Sequence, residues 1–415
     1  MPSHEVMTPV RMERIAVVAP ENALRDALAV VAHAGVVDVD RADDSLEAVV
    51  GGAVRRESAA AVAGWCPAEE RPGLAAKLAG VGAAAVPLPV PRGVDPPSLL
   101  RSDGAVRRSF TPLVSTYGTV PYQDVDPTVL AGAAYVLMFG MMFGDAGQGL
   151  LLVAAALLLR VGWPERLARW RSAWPFVLGA GAASTLFGVL YGEFFGPTAV
   201  VPVLWLNPLD DPVQLLGAGV AAGAVLLAAA YAVAIVNRWR EGGTRLAVYA
   251  SSGVAGAALF LGIAGIAGGL LLSADLLVVS SAAIAVVGLV LAGLGFAAAS
   301  GGGAAGWVQA AVELFDIVIR TGSNLVSFAR LAAFGLVHAA IGSVVWLGTT
   351  ALAGRGGVTG IGAAVLLFLL GNALAFSLEA LVAAIQALRL EFYELFSRVF
   401  EIEGRPFRPW HGEAR

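Results

Sequence analysis

From Pro127 onward the chain is a succession of apolar stretches, most of them at or beyond the roughly 20 residues a helix needs to cross a bilayer core of about 30 Å. Trp174 to Phe195, Val213 to Val236, Ala247 to Leu272 and Leu276 to Ala299 each read as one spanning helix. Two longer stretches follow, Trp307 to Gly348 and Ile361 to Phe400. Composition agrees with a membrane protein. Of 415 residues, 58% are hydrophobic and 14% charged, whereas soluble domains lie nearer half and a quarter.

Charge placement decides the one ambiguous stretch, Val129 to Val161, which is interrupted at Phe143-Gly144-Asp145-Ala146-Gly147-Gln148-Gly149. If it is two helices, Arg160, Arg166, Arg169 and Arg171 fall on the cytoplasmic side, with Arg238, Arg240, Arg245 and the tail arginines Arg405, Arg408 and Arg415. If it is one helix, the first two clusters fall outside, against the positive-inside tendency. The hairpin reading therefore predicts about eight transmembrane helices, the last two long and tilted, with both termini in the cytoplasm. The first dozen residues are polar and Arg14 to Ala19 is too short an apolar run for a secretion signal, which also places the N-terminus in the cytoplasm.

Residues up to about Gln123 read differently. Arg14 to Ala19 and Val36 to Val39 are strand-like around a helical stretch, Glu21 to Gly35. The pattern repeats as Ala60 to Cys66, Ala68 to Ala79 and Ala83 to Val90, so two β-α-β halves predict a small ferredoxin-like α/β domain. A short charged connector, Arg41 to Ser58, joins the halves, and a Pro-rich stretch leads to the membrane part. The expected division is a cytoplasmic α/β domain over 1–123 and a transmembrane domain over 124–415. The single cysteine, Cys66, excludes an internal disulfide and a cysteine-built zinc site, and reads as a small buried residue at a strand end. A net charge of -4 argues against a nucleic-acid surface.

Polar residues are scarce in the apolar part, so their positions are informative. Along Trp307 to Gly348 they recur as Gln309, Glu313, Asp316, Arg320, Ser323, Ser327 and Arg330, with His338 beyond. Steps of three and four lay such residues on one helix face. Arg330 sits well inside the span, where a charge costs from about 3 to over 10 kcal/mol without a partner or an aqueous path. Arg320 lies four residues after Asp316 and reads first as its salt-bridge partner. On the last stretch Glu379, Gln386 and Arg389 share a face, while Glu391 and Glu394 read as residues near the headgroups.

Ser327-Phe-Ala-Arg330-Leu-Ala-Ala-Phe-Gly-Leu-Val-His338-Ala, GMMFGDAGQG at Gly140 to Gly149, YGEFFG at Tyr191 to Gly196 and the closing run from Leu378 to Trp410 together resemble one family. It is the large membrane stator subunit of V-type and archaeal or bacterial A-type ATPases, subunit a or subunit I. The N-terminal strand-helix-strand RIAVVAPENALRDALAVVAHAGVVDVD resembles that family too, but its long helical arms are replaced here by the Arg41 to Ser58 connector. The resemblance implies that Arg330 is the family's essential arginine facing the rotor ring, with Arg389 the second. It implies that Glu379, Gln386, His338, Asp316 and Glu193 line or support two ion half-channels, and Glu313 and Ser327 lie on the same polar stripe. Glu193 also reads as a helix-end headgroup residue, and Asp145 as a turn cap.

The implied partners are a rotor ring of small membrane subunits bearing a carboxylate, peripheral-stalk subunits, the ATPase head indirectly, and the lipid bilayer of the cell membrane. No cofactor and no metal are implied. The chain has no GxxxxGK[ST] loop, so nucleotide chemistry is expected on partners. Two rival readings stand beside this one: a secondary transporter holding an anionic substrate on Arg330 and Arg389, and a non-pumping assembly scaffold.

Overall fold

A computed structural model describes residues 8–40, 45–91, 93–301, 303–400 and 403–412. The chain forms two compact units. The first takes its residues from Met1–Arg101, Gly118–Asp126 and Ile402–Arg415; the second takes them from Ser102–Tyr117 and Pro127–Glu401. Arg41 and Arg415 lie outside the described residues.

In the first unit, β1 (Met12–Pro20) buries Ile15, Ala16 and Val17 in succession and continues through a short turn into α1 (Leu24–Ala34). α1 buries Leu24, Ala27, Leu28 and Val31, the i, i+3, i+4, i+7 face that drives a helix onto a sheet. It ends at Gly35, whose positive φ of 60° lets its N–H cap the Val31 carbonyl. Then come β2 (Asp38–Val39), α2 (Leu46–Gly51), β3 (Val54–Arg56), β4 (Ala59–Pro67), α3 (Arg71–Ala79) and β5 (Ala84–Pro87). The connector between the halves is thus not structureless: Ser45 caps α2 by accepting from the Ala48 N–H, and β3 pairs with β4.

The strands run β2-β4-β1-β5, all neighbours antiparallel, which is the order two interleaved β-α-β halves produce. Ile15, Val17, Leu28, Val31, Leu74 and Cys66 fill the core, and Trp410 of the tail is buried among them. Cys66 is fully buried on β4, and its thiol is pushed up to about 12, first by burial and then by Glu70 and Glu13.

The second unit is helical. It opens with α4 (Gly104–Tyr117), an amphipathic helix that buries Phe110, Leu113 and Val114. α5 (Thr128–Met142) and α6 (Ala146–Val161) follow, joined by Phe143-Gly144-Asp145. A nine-residue 3-10 segment, Glu165–Ala173, leads into α7 (Trp174–Tyr191). α7 lies against both α5 and α6. Tyr135 meets Phe176 and Gly140 abuts Ala183, so α5 and α7 run in the same direction. Gly149 abuts Thr185 and Leu152 abuts Gly181, so α6 runs the opposite way. The chain therefore reverses at Asp145, as the charge pattern requires. The two helices are short, however, about 22 and 24 Å at 1.5 Å per residue, below a full hydrocarbon crossing.

Next are α8 (Pro212–Tyr249), broken at Gly242 and Gly243, then α9 (Val254–Leu271) and α10 (Asp275–Ala299). α9 and α10 pack closely through small residues, Gly262 on Ala285 and Gly265 on Ser281. Trp307 to Gly348, expected as one helix, is divided at Phe328 into α11 (Gly303–Ser327) and α12 (Ala329–Ala353). The tail of the unit is α13 (Gly357–Leu390), a π-helical turn Glu391–Phe396 and a last short turn, α14 (Ser397–Val399). Among the described residues, six helical segments are long and apolar enough to cross a membrane. Six of the eight expected helices have the length to span, with α11 and α12 counted as the one segment Gly303–Ala353, and the reversing pair α5 and α6 falls short of it.

Candidate functional site

Two polar clusters sit inside the helical unit. The first is built on the turn between α5 and α6. Asp145 is completely buried, and its carboxylate accepts from three backbone N–H groups: Gln148 at 2.8 Å, Phe195 at 3.0 Å and Gly196 at 3.0 Å. One bond caps α6; the other two hold the YGEFFG loop against the turn. Ser184 of α7 donates to the Phe143 carbonyl in the same turn. Gly188 lets this contact close, since a Cβ there would lie 2.0 Å from the Ala146 nitrogen. The expectation that Asp145 caps a turn holds, and it does more: it fastens two of the sequence motifs together.

The loop so fastened carries Glu193, only 3% exposed, next to Gly342 of α12. Glu193 is therefore a buried residue, which replaces the helix-end headgroup reading. His338 of α12 is also buried, stacks near Phe143 (5.0 Å between ring centroids) and donates through Nδ1 to the Glu379 carboxylate of α13. Asp145, Glu193 and Glu379 are the acidic groups whose fields reach His338. One histidine thus faces three carboxylates, only one of which, Asp145, is saturated by backbone donors.

The second cluster lies along the same helix pair. α12 and α13 are antiparallel, with Val345 at Gly371 and Gly348 at Leu367. This register carries Arg330 to the level of Gln386 and Arg389. Arg330 and Arg389 both act on Glu394, and the Ser327 hydroxyl lies beside that carboxylate. Further along, Arg398, 7% exposed, donates from Nη2 to the Asn324 side-chain oxygen at 2.9 Å and lies 5.8 Å over the Tyr231 ring. Glu391 is 1% exposed, at a small cavity of about 30 Å³ lined by Leu130, Ala134, Leu226 and Ala230. Glu391 and Glu394 are therefore buried, which corrects their assignment to the headgroups: they continue the buried line of Ala383, Ala387 and Leu390 at steps of three and four.

Asp145 is satisfied by main chain, but among the described residues neither cluster is satisfied throughout: Gln148 Oε1 and Glu193 Oε2 beside it also lack a hydrogen-bond partner. Among the described residues, Arg330 Nη1, Glu379 Oε1, Gln386 Oε1, Glu391 Oε2, Glu394 Oε2 and Arg398 Nε are buried without a hydrogen-bond partner. Such atoms are rare in helical proteins unless water or a moving charge serves them. The break at Phe328 sits two residues before Arg330. There the ladder tightens, with Phe328 N–H bonded to the Leu325 carbonyl and Leu331 N–H to that of Phe328. Phe328 is fully buried against Gly219 and Gly223 of α8; a Cβ on Gly223 would lie 2.0 Å from its ring.

Of the stripe expected on one face, only the end nearest Arg330 turns inward. Gln309, Asp316, Arg320 and Ser323 are exposed, Glu313 is partly so, and Arg320 pairs with Asp316 as the spacing suggested. The buried line lies one position over, through Ala310, Ile317, Thr321 and Leu325, with Asn324 beside it. On α13, Leu370, Leu374, Leu378, Leu381 and Ile385 form an open apolar face that ends at the exposed Arg389.

Residues 53–199, which include both motifs joined by Asp145, match the V-type ATPase 116kDa subunit family. An A-type ATP synthase subunit I of Aeropyrum pernix is 27% identical over 77% of this chain and 51% of its own length. That of Thermococcus kodakarensis is 27% identical over 84% of this chain and 54% of its own. Over most of its length the chain is similar to the V/A-type ATPase subunit I family. A V-type ATP synthase subunit I of Treponema pallidum is more similar locally, 39% identical over 38% of this chain and 36% of its own length. The chain thus spans about half the length, or less, of these curated relatives.

Proposed function

We propose that this chain is the membrane stator of a V/A-type rotary ATPase and forms the ion half-channels against a ring of small carboxylate-bearing subunits. The observation that carries the reading is the antiparallel pairing of α12 with α13, which brings Arg330 to the level of Gln386 and Arg389, both arginines within electrostatic reach of the buried Glu394, at the edge of an open apolar face. A ring carboxylate arriving beside Arg330 meets a fixed positive charge, which lowers its pKa and releases its proton. Arginine suits this role because it stays charged when desolvated, whereas lysine loses its proton on burial. The same charge blocks direct leak between the two half-channels.

In this reading His338, Glu379 and Glu193 support one half-channel, and Gln386, Ser327 and Glu394 line the approach to the arginines. Glu313 and Asp316, on the exposed stripe of α11, would face water at the rim. Each elementary charge crossing 100 mV supplies about 2.3 kcal/mol, which biases rotation when several cross per turn. Peripheral-stalk subunits would hold the α/β domain over 1–123, and the ATPase head would be coupled indirectly, with both termini on the cytoplasmic side of the cell membrane.

Mild-detergent purification followed by mass spectrometry tests this. A small ring subunit should co-purify, and a cysteine in place of Leu381 or Ile385 should cross-link to it. The native Cys66, buried and with its thiol pushed up to about 12, stays silent near neutral pH. Recovery of the chain alone as a homo-oligomer, with no cross-link from either position, would overturn the proposal.

A further inference from the structure

The segment that turns α6 into α7 has a chemistry the ion path does not use. Arg160, Arg166, Arg169 and Arg171 are all exposed, and Glu165 is the one acid between them. Trp163 and Trp170 are 64% and 56% exposed, with Leu167 also open. The cations are arranged rather than loose. The Arg160 guanidinium lies 4.9 Å over the Trp174 ring, that of Arg169 lies 5.8 Å over Trp170, and Arg171 Nε donates to the Arg160 carbonyl at 3.0 Å. Among the described residues, none of the four arginines has a carboxylate within ion-pair distance. The amphipathic α4 packs against the same segment and sets Phe110 against Phe176, with Arg108 exposed on its outer side.

This collar caps the ends of two apolar helices, where the interface of a bilayer falls. Exposed indoles are favoured at headgroup depth, and guanidinium groups grip phosphate oxygens in pairs. A neutral interface would call for the tryptophans alone; four unpaired cations call for negative charge opposite them. We propose that the Arg160–Arg171 collar is a binding site for the headgroups of anionic phospholipids. It is independent of the ion path and stands whether or not Arg330 faces a ring.

The full chain, purified with a mixture of phosphatidylglycerol and phosphatidylcholine, is examined by native mass spectrometry. The wild type should retain phosphatidylglycerol in preference, and Arg166→Gln/Arg169→Gln/Arg171→Gln should lower that preference by about tenfold or more. Neutralising Arg108 alone should have a smaller effect. Equal retention of the two lipids by the wild type, or an unchanged preference in the triple variant, would overturn the proposal. Should the triple variant fold poorly, the wild type is read in vesicles of brominated lipid, with Trp163→Phe/Trp170→Phe defining the signal of these two indoles. Brominated phosphatidylglycerol should quench them more than brominated phosphatidylcholine does; equal quenching would likewise overturn it.

Discussion

Around Asp145 three backbone N–H groups converge on one carboxylate, whereas around Arg330, among the described residues, Gln386 Oε1, Glu391 Oε2, Glu394 Oε2 and Arg398 Nε are buried without a partner. Both regions bury charge in an apolar helical unit, where an unserved charge is costly. In the first, Asp145 is satisfied by main chain and fastens two loops together, while Gln148 Oε1 and Glu193 Oε2 beside it lack a partner among the described residues. The second is held by side chains on two long helices, beside a break at Phe328 and a π-helical turn, and leaves buried polar atoms without a partner among the described residues. The difference teaches that acids buried inside an apolar helical unit divide by what saturates them. A carboxylate capped by amides sets geometry, and one left half-served is available for proton transfer.

The largest effect should come from the fastener. Asp145→Ala strands three buried N–H groups and should cost about 3–5 kcal/mol, seen as lost yield or a lower Tm of the purified chain, with Asp145→Asn intermediate. Full stability of the alanine variant combined with lost pumping would break the comparison, because Asp145 would then belong to the ion path. Gly223→Val should come next. Its side chain collides with Phe328, so thermal stability should fall by about 2 kcal/mol.

Glu379→Gln sharpens the contrast from the other side. The amide still accepts from His338, so stability should change by about 1 kcal/mol or less, while coupled ion flux should drop at least about tenfold. A variant that pumps normally would remove Glu379 from the half-channel. The smallest effect is expected from Arg320→Ala. Its pair with Asp316 is more than half exposed on both sides, so urea or thermal unfolding should shift by no more than about 0.5 kcal/mol.

Much of the helical plan was legible because length and apolarity are read directly, and the reversal at Asp145 was legible from arginine placement. The break at Phe328 was not. No proline or glycine marks it; it depends on a ring of α12 settling against Gly219 and Gly223 of α8, a contact remote in sequence. The polar stripe was misjudged for a related reason. Periodicity defines faces but not which one meets the core, and on α11 the line through Ile317 and Thr321 wins because it carries fewer charges to desolvate. Arg398 and Asn324 were missed because neither spacing nor motif singles them out; a fourth arginine on the closing helices was the available signal. Glu391 and Glu394 read as headgroup residues because they come late in the last stretch, whereas their steps of three and four from the buried Ala387 and Leu390 were the signal that they face inward.

The central claim is that Arg330 transfers charge rather than supporting the fold. Arg330→Ala, assembled into the complex and reconstituted in sealed vesicles, tests it through ATP-driven ion uptake measured alongside subunit composition. The account predicts an intact complex with coupled uptake abolished. Uptake at the wild-type rate in an intact complex would contradict it.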